Sequence, residues 1–144
     1  QIYFMAKSEL FENKILAKFL NAMGTCPVHR KKGDIKAINK SYEILENNNV
    51  LGIFIEGTRS KNGDFLKPKS GAAMIAYKTN TPIIPVCITP KKGNRVKPFT
   101  KTIITYGDPI SISDLSIEKG SGVEFRNASR FIMEKIKELR KRDV

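Results

Sequence analysis

The feature that most constrains this chain is an apolar run that ends in a polar, glycine-containing turn. Residues 50–55 read Val-Leu-Gly-Ile-Phe-Ile, and residues 56–60 read Glu-Gly-Thr-Arg-Ser. Such a run predicts a buried strand of a parallel sheet, with the polar residues in the loop that follows. In open α/β sheets, ligands bind beyond the carboxyl ends of the strands. The pattern therefore predicts a binding loop, although ordinary solvated loops also follow strands in this way.

The side chains of this loop suit an anionic or hydroxylated ligand. Gly57 allows the backbone to come close to a ligand, because it carries no Cβ. Arg59 offers a guanidinium for a phosphate or carboxylate, and Thr58 and Ser60 offer hydroxyl groups. The alternative is a strand exit with a solvated glutamate and arginine.

Strand-like and helix-like segments alternate along the chain. Strands are predicted at residues 2–6, 25–28, 50–55, 83–88 and 102–106, and helices at residues 10–23, 35–46, 71–79 and 123–142. This alternation predicts an α/β fold with a mixed, mostly parallel sheet flanked by helices. A length of 144 residues predicts a single domain, residues 1–144. Pro85 predicts an edge or a bulge in its strand.

Three of the predicted helices carry apolar stripes for which packing in a core is the default expectation. Ser8 is the expected N-cap of the first helix and Asp34 that of the second. Contact with lipid is the alternative for the first stripe. The three stripes are Leu10, Phe11, Ile15, Leu16, Phe19, Leu20 and Met23; Ile35, Ile38, Tyr42 and Leu45; and Ala128, Phe131, Ile132, Ile136 and Leu139.

The composition favours a polyanionic partner. The chain has 26 Lys and Arg against 14 Asp and Glu, a formal net charge of +12. Phosphate head groups, an anionic membrane, coenzyme A, an acidic carrier protein and nucleic acid all fit such a charge. Cys26 and Cys87 lie in apolar segments without metal-type spacing, so we expect two buried free thiols and no metal site.

Four segments resemble motifs of one enzyme family. Residues 54–60, Phe-Ile-Glu-Gly-Thr-Arg-Ser, are similar to the F-P-E-G-T-R-S block of the glycerolipid acyltransferases, the 1-acyl-glycerol-3-phosphate acyltransferase family, with Ile55 where proline is usual. Residues 5–10, Met-Ala-Lys-Ser-Glu-Leu, resemble the segment after the first motif. Residues 24–30, Gly-Thr-Cys-Pro-Val-His-Arg, resemble the second, and residues 81–86, Thr-Pro-Ile-Ile-Pro-Val, match the fourth.

The resemblance implies a glycerol-3-phosphate acyltransferase-like fold and an acyl transfer in phospholipid biosynthesis. The acceptor would be 1-acyl-glycerol-3-phosphate (lysophosphatidic acid), the donor acyl-CoA or acyl carrier protein, and the product phosphatidic acid. It implies no cofactor and no metal. It places the enzyme at the cytoplasmic face of the cell membrane, peripheral or anchored by a segment outside these residues.

The family's general base is the histidine of a His-x₄-Asp motif, which would precede Phe4. The resemblance therefore implies that these 144 residues are an N-terminally truncated acyltransferase, inactive alone. His29 and Asp34 also have this spacing, and His29 is the only histidine. We expect this pair to be a decoy, because neighbouring cations disfavour an imidazolium at His29.

The resemblance also implies the site residues. Arg30 would bind the acceptor's phosphate. Glu56 and Gly57 would belong to the catalytic site and, with Thr58 and Arg59, would bind substrate. Two roles stay open for Glu56, binding of a glycerol hydroxyl and pairing with a cation. Lys67 and Lys69 are further phosphate candidates. Because Arg30 and Arg59 each follow a strand of one predicted β-α-β unit, we expect them to converge on one pocket.

Two other functions stay open. One is a basic nucleic-acid-binding α/β domain, which needs aromatic side chains among the basic ones. Phe4, Phe11, Phe19 and Phe131 fall on apolar stripes or strands, so no nucleic acid is expected as a partner. The other is a catalytically silent module that binds a lipid or a protein partner.

Overall fold

The computed structural model describes residues 1–28, 34–93, 96 and 99–143. These residues form two compact units, the N-terminal unit Gln1–Ile53 and the C-terminal unit Phe54–Val144. The fold is α/β and includes a parallel sheet flanked by helices, which confirms the predicted class. The assignment of residues 1–144 to one domain stays a prediction.

The sheet of the N-terminal unit has three parallel strands. They are β1 (Ile2–Lys7), β2 (Thr25–Val28) and β3 (Val50–Gly52), in the order β2-β1-β3. The register places Phe4 of the central strand between Thr25 and Gly52. A side chain at position 52 would overlap the ring of Phe4, so the glycine allows this register.

Two predictions about these strands are wrong. The strand predicted over residues 50–55 ends at Gly52, because only Val50, Leu51 and Gly52 pair with β1. The strands are also less buried than an apolar composition suggests, since Ile2, Phe4 and Val50 are exposed. An apolar run therefore identified the strand position without fixing its length or its burial.

The first helical segment is split into two parts. Ser8–Phe11 forms a 3-10 turn, and helix α1 spans Lys14–Ala22. The N-cap is Asn13 and not Ser8, because the Asn13 side-chain oxygen accepts hydrogen bonds from the Ile15 and Leu16 backbone N–H groups at 3.0 and 3.2 Å. Contrary to the expectation of core packing, no residue of α1 is buried.

Helix α2 (Ile35–Glu46) begins at Asp34, as predicted. The Asp34 carboxylate accepts the backbone N–H groups of Lys36 and Ala37 at 3.1 and 3.3 Å. The predicted inward face is wrong at Ile35, which is exposed. The buried residues are Ala37, Ser41 and Ile44. Ser41 tolerates burial because its hydroxyl donates to the Ala37 carbonyl at 2.7 Å.

The C-terminal unit contains helices α3 (Gly71–Thr79) and α4 (Gly122–Asp143), a 3-10 turn (Ser113–Leu115) and a strand pair. Strand β4 (Val86–Pro90) runs antiparallel to β5 (Thr102–Tyr106). The strand predicted over residues 83–88 therefore starts later. Ile83 forms an isolated bridge with Ile110, and Pro85 directly precedes β4, where its missing N–H breaks no ladder bond.

The C-terminal unit has one well-defined hydrophobic cluster built from α3, α4 and the segments around them. Phe131, predicted to face inward, is exposed instead, and Met133 takes an inward position. The buried members of the cluster are Ile55, Ala73, Ile110, Leu115, Ala128, Ile132 and Met133. Ile55 is the member that matters for the site, because the polar turn follows it directly.

Both ends of α4 are fixed by side-chain hydrogen bonds. At its start, the Glu124 carboxylate accepts the Ser121 backbone N–H at 2.7 Å, and the Ser121 hydroxyl accepts the Glu124 N–H at 3.3 Å, which is a capping box. At its end, the Asp143 carboxylate accepts the hydroxyl hydrogens of Thr105 and Thr89 at 2.7 and 2.8 Å. These bonds lower the pKa of Asp143 and tie α4 to the strand pair.

The capping box predicts a pH-dependent contribution to stability. Backbone N–H groups, first that of Ser121 and then that of Lys119, lower the pKa of Glu124 from 4.5 to about 2. Because the folded-state pKa is depressed, the contribution is present above pH 4.5 and is lost as the pH falls towards 2. Glu124→Gln should therefore be less stable than the parent at neutral pH, and the difference should shrink on acidification.

Urea unfolding across this pH range measures the difference. Glu138→Gln, which removes an exposed carboxylate paired with Lys135 on the same helix, is the matched control. A Glu124→Gln difference that stays constant with pH would contradict the capping role.

Candidate functional site

The polar turn begins at a residue anchored in the core of the C-terminal unit. Ile55 is buried in the hydrophobic cluster. The Gly57 N–H donates to the Phe54 carbonyl at 2.9 Å, which closes a tight turn. Gly57 has a φ of +70°, a left-handed conformation in which a Cβ is unfavourable. The core and the turn together place the next residues, Thr58 and Arg59, on the surface.

Residues 56–69, here called the Glu56 loop, close on themselves through two hydrogen bonds. The Lys69 backbone N–H donates to the Ile55 carbonyl at 2.8 Å. The Leu66 backbone N–H donates to Oε2 of Glu56, also at 2.8 Å. Both bonds join the start of the loop to its end, so a polar segment of this length acquires a defined shape without regular secondary structure.

The hydrogen bond of the Glu56 carboxylate shows what this side chain does in the loop. The sequence left two roles open, binding of a glycerol hydroxyl and pairing with a cation. In the described part of the chain, the half-buried Glu56 carboxylate forms neither an ion pair nor another side-chain bond, and its partner is the Leu66 N–H. Its direct action is therefore on the shape of the loop. A catalytic role for Glu56 and Gly57 stays a prediction.

The loop presents cationic side chains to solvent. Arg59, Lys67 and Lys69 are exposed, and none has a carboxylate at ion-pair distance among the residues that the structure describes. A Cβ at Gly57 would lie 3.3 Å from Cγ of Lys69, so the lysine stem passes beside the turn. The loop thus exposes a hydroxyl at Thr58 and cationic side chains at Arg59, Lys67 and Lys69.

Ser60 bonds within the loop, whereas the sequence predicts that its hydroxyl is offered to a ligand. Its hydroxyl donates to Oδ1 of Asn62 at 2.9 Å and accepts the Gly63 N–H at 3.0 Å. Asn62 in turn donates to the Asp64 carboxylate. These bonds order the far side of the loop. Ser60 is therefore a structural residue of the loop, and Thr58 keeps an exposed hydroxyl.

Sequence reasoning missed Arg140, which holds the loop from helix α4. Its guanidinium donates to the Gly63 carbonyl at 2.8 Å and lies 4.9 Å from the centre of the Phe65 ring. These are a charge-assisted hydrogen bond and a cation–π contact. The sequence offered only a run of basic residues in the last turn of α4. No local signal indicates a partner 77 residues away in the chain.

The predicted site residue Arg30 and the expected decoy His29 lie outside the described residues, so the convergence of Arg30 with Arg59 and the decoy reading of His29 stay predictions. Both cysteines are free. Cys87 is buried, but Cys26 is only partly buried, which corrects one expectation. Burial raises the pKa of the Cys26 thiol and so disfavours its reactive thiolate.

The exposed phenylalanines remove one argument against nucleic acid, and the expectation of no nucleic-acid partner stays a prediction. That expectation relied on phenylalanines in apolar surroundings, yet Phe4, Phe19 and Phe131 are exposed. Nζ of Lys135 lies 5.6 Å from the centre of the Phe131 ring. Aromatic and basic side chains are therefore neighbours on the surface, and nucleic acid belongs among the ligands to be tested.

Neither a metal-type cluster nor a membrane-spanning helix occurs among the described residues. None of their His, Cys, Asp and Glu side chains forms a group of three or more that could hold a metal ion. No described helix combines the length and the apolar character needed to cross a bilayer.

Comparison with known proteins gives a consistent result. Residues 1–89 match the family model described as Acyltransferase. The 1-acyl-sn-glycerol-3-phosphate acyltransferase of Bacillus subtilis is 32% identical over 117 residues, which are 81% of this chain and 58% of that protein. The enzyme of the same name from Streptococcus pneumoniae is 32% identical over 126 residues, 86% of this chain and 46% of that protein.

A solved structure agrees with these relatives. The crystal structure of the 1-acyl-sn-glycerophosphate (LPA) acyltransferase PlsC from Thermotoga maritima superimposes with a TM-score of 0.67 and 26% identity, over 94% of this chain and 54% of that one. The chain thus spans about half the length of the curated relatives and of the solved structure that it matches.

The turn at Gly57 can be tested by substitution. Gly57→Ala should destabilise the C-terminal unit by about 1 to 2 kcal/mol, because a Cβ is unfavourable in left-handed backbone. Gly71→Ala is the matched control, since a Cβ there meets nothing within 4 Å. Thermal unfolding of both variants gives the comparison, and equal stabilities would contradict the required turn.

The contact of Arg140 makes a separate prediction. Arg140→Ala should cost about 1 to 2 kcal/mol, because it removes a charge-assisted hydrogen bond and a cation–π contact. Amide hydrogen exchange should accelerate at Gly63 and Leu66. Arg130→Ala, an exposed arginine of the same helix, is the control. Unchanged exchange in the Glu56 loop would show that Arg140 does not hold it.

Proposed function

Because the chain belongs to the acyltransferase family, we propose that it provides the acceptor-phosphate site of an enzyme that acylates 1-acyl-glycerol-3-phosphate. The names of the bacterial relatives support this substrate. The product of such a transfer is phosphatidic acid, a precursor in phospholipid biosynthesis. The donor in this proposal is an acyl thioester, either acyl-CoA or acyl carrier protein.

One observation carries the proposal: the Glu56 loop is closed by its own hydrogen bonds, and its exposed Arg59, Lys67 and Lys69 have no carboxylate at ion-pair distance among the described residues. The bonds of Glu56 and Ile55 hold the loop before any ligand arrives. Arg59 and Lys69 then need no rearrangement from an internal ion pair to meet a phosphate. A loop backbone that is already ordered loses less conformational freedom on binding, which strengthens binding.

The chemistry assigns the loop to substrate binding and transition-state support. The acceptor hydroxyl oxygen attacks the thioester carbon, the carbon–sulfur bond breaks, and the hydroxyl proton passes to a general base. A phosphate held by Arg59 fixes the glycerol unit and therefore the position of the attacking oxygen. The family resemblance assigns the base to a His-x₄-Asp histidine and Arg30 to the acceptor's phosphate, and the convergence of Arg30 with Arg59 stays a prediction.

The proposal predicts a phosphate-dependent affinity. Arg59→Ala should weaken binding of 1-acyl-glycerol-3-phosphate about tenfold to a hundredfold, because a charge-assisted hydrogen bond contributes about 1.5 to 3 kcal/mol. Binding of 1-acylglycerol, which lacks the phosphate, should hardly change. Arg59→Lys should restore little if the contact is bidentate. Titration calorimetry with each lipid in monomeric form measures the preference for 1-acyl-glycerol-3-phosphate over 1-acylglycerol. The same titrations of Arg30→Ala test the second arginine.

The matched control is Arg130→Ala, which removes an exposed arginine from helix α4. It should keep the preference for the phosphate-bearing ligand. The proposal fails if the parent chain binds the two lipids equally, or if Arg59→Ala and Arg130→Ala lose the same affinity. Radiolabelled transfer assays of these 144 residues should show no turnover, and turnover that disappears in His29→Ala would identify His29 as the base. The same assays with acyl-CoA and with acyl carrier protein, on a protein that also carries the His-x₄-Asp motif, distinguish the donors.

The proposed substrate also implies a location. A lysophospholipid and its diacyl product reside in a bilayer, so the enzyme must work at a membrane surface. The net charge of +12 favours an anionic one. We therefore place the proposed activity at the cytoplasmic face of the cell membrane, where the acyl thioester donors are available.

A further inference from the structure

Helix α1 presents an apolar face that the N-terminal unit leaves uncovered. Ile15, Phe19 and Met23 follow one another at intervals of four residues, so they lie along one side of the helix. They are 84%, 60% and 58% exposed. Single exposed apolar residues are ordinary, but a contiguous row of large ones is typical of an interaction surface. The row extends over the whole of α1.

Basic residues border this apolar face. A shallow groove along α1 is lined by Lys14, Ile15, Lys18, Phe19 and Ala22. At 100° per residue, the two lysines lie next to each other along one edge of the apolar row. Helix α1 contains no acidic residue. Among the described residues, no carboxylate lies at ion-pair distance from either lysine.

We propose that α1 is an interfacial helix that docks the N-terminal unit on an anionic bilayer. Ile15 and Phe19 enter the boundary of the acyl chains, and the ammonium groups of Lys14 and Lys18 reach the lipid phosphates. Lysine suits this position because its aliphatic stem covers apolar surface while its charge stays in the polar layer. An exposed apolar row bordered by lysines is the pattern of helices that lie in a membrane interface.

Charge complementarity selects this occupant over a second copy of the chain. A symmetric contact between two α1 faces brings identical surfaces together, so Lys14 and Lys18 of one copy would approach those of the other. Like charges brought together in this way oppose association. An anionic bilayer instead supplies both the apolar layer and the opposite charge. The inference rests on the proposed function, because a lipid substrate requires an approach to a bilayer.

The sequence allows a direct test, because it contains no tryptophan. In the Phe19→Trp variant the new side chain is the only indole, so its fluorescence reports the surroundings of α1. Addition of phosphatidylglycerol vesicles should shift its emission to the blue, and lipids with brominated acyl chains should quench it. Neutral phosphatidylcholine vesicles should have much less effect, and added salt should weaken the shift.

Tyr106→Trp is the matched control. Tyr106 is an aromatic residue of similar exposure, 66%, on strand β5 of the C-terminal unit. The emission of this variant should stay unchanged when vesicles bind. Equal shifts for both reporters, or equal shifts with neutral and anionic vesicles, would overturn the assignment of an anionic surface to α1.

Substitutions test the energetics of the same face. The double variant Ile15→Ser with Phe19→Ser should fold normally, because both residues are exposed. It should lose about tenfold or more in its partition to anionic vesicles, since two large apolar side chains no longer leave water on binding. Replacement of either Lys14 or Lys18 by glutamine should lose about fivefold. Ile104→Ser with Tyr106→Ser is the matched double control.

The outcomes separate this inference from the proposed function. If the Ile15/Phe19 double variant loses vesicle binding but still prefers 1-acyl-glycerol-3-phosphate over 1-acylglycerol as monomers, the inference is supported. If it binds vesicles like the parent, the inference is overturned while the phosphate site stands. A third outcome is that the emission of Phe19→Trp shifts with anionic vesicles but the parent chain does not prefer 1-acyl-glycerol-3-phosphate over 1-acylglycerol. The proposed function then fails, and the docking surface remains.

Two other partners would also overturn the inference. A blue shift of the Phe19→Trp emission that grows with protein concentration in the absence of vesicles, together with a dimer in sedimentation velocity, would identify a second copy as the occupant. Salt-resistant binding of duplex DNA that protects the indole of the same variant from a soluble quencher would assign the lysine-bordered face to nucleic acid.

Discussion

The hydrogen bond between the Glu56 carboxylate and the Leu66 backbone N–H is the contact on which the candidate site depends. The residues between these two form neither helix nor strand, so nothing periodic fixes their shape. Together with the bond from Lys69 to the Ile55 carbonyl, this contact converts a flexible polar segment into a closed loop. The closed loop keeps Arg59, Lys67 and Lys69 exposed, with no carboxylate at ion-pair distance among the described residues. The Glu56 carboxylate thus acts on the shape of the loop and pairs with none of its exposed cations among the described residues.

Helix α4 extends this support from a part of the chain that the family model does not cover. The match ends at residue 89, whereas Arg140 bonds to the loop near the end of the chain. The capping box at Ser121 and the bonds of Asp143 hold the two ends of α4. Because both ends are held, the guanidinium of Arg140 reaches Gly63 from a rigid element. Loop geometry in this chain therefore depends on residues far from the motifs that identify the family.

Exposure explains the role of helix α1 in the N-terminal unit. A core helix and an interfacial helix can carry the same apolar spacing, because each needs one apolar stripe. The surroundings decide between them, and here Ile15 and Phe19 lie outside the packed part of the unit. The absence of acidic residues from α1 then favours an anionic partner over a neutral one. Surface charge and unburied apolar area together make a lipid surface the best match.

The sequence by itself determined the order of the elements, the cap at Asp34 and the family of the chain. Helix α3, strands β2 and β5 and that cap follow from local rules, because turns, caps and apolar spacing are encoded by neighbouring residues. The family likeness likewise rests on a contiguous string, residues 54–60, and comparison with known proteins confirmed it. Only the tertiary structure decided the length and burial of the strand before this loop, the uncovered face of α1, and the contacts of Glu56 and Arg140 with the loop. Burial and long-range hydrogen bonds depend on which surfaces pack together in the folded chain. Arg140 and Gly63 are 77 residues apart in the sequence, so no local pattern predicts their hydrogen bond.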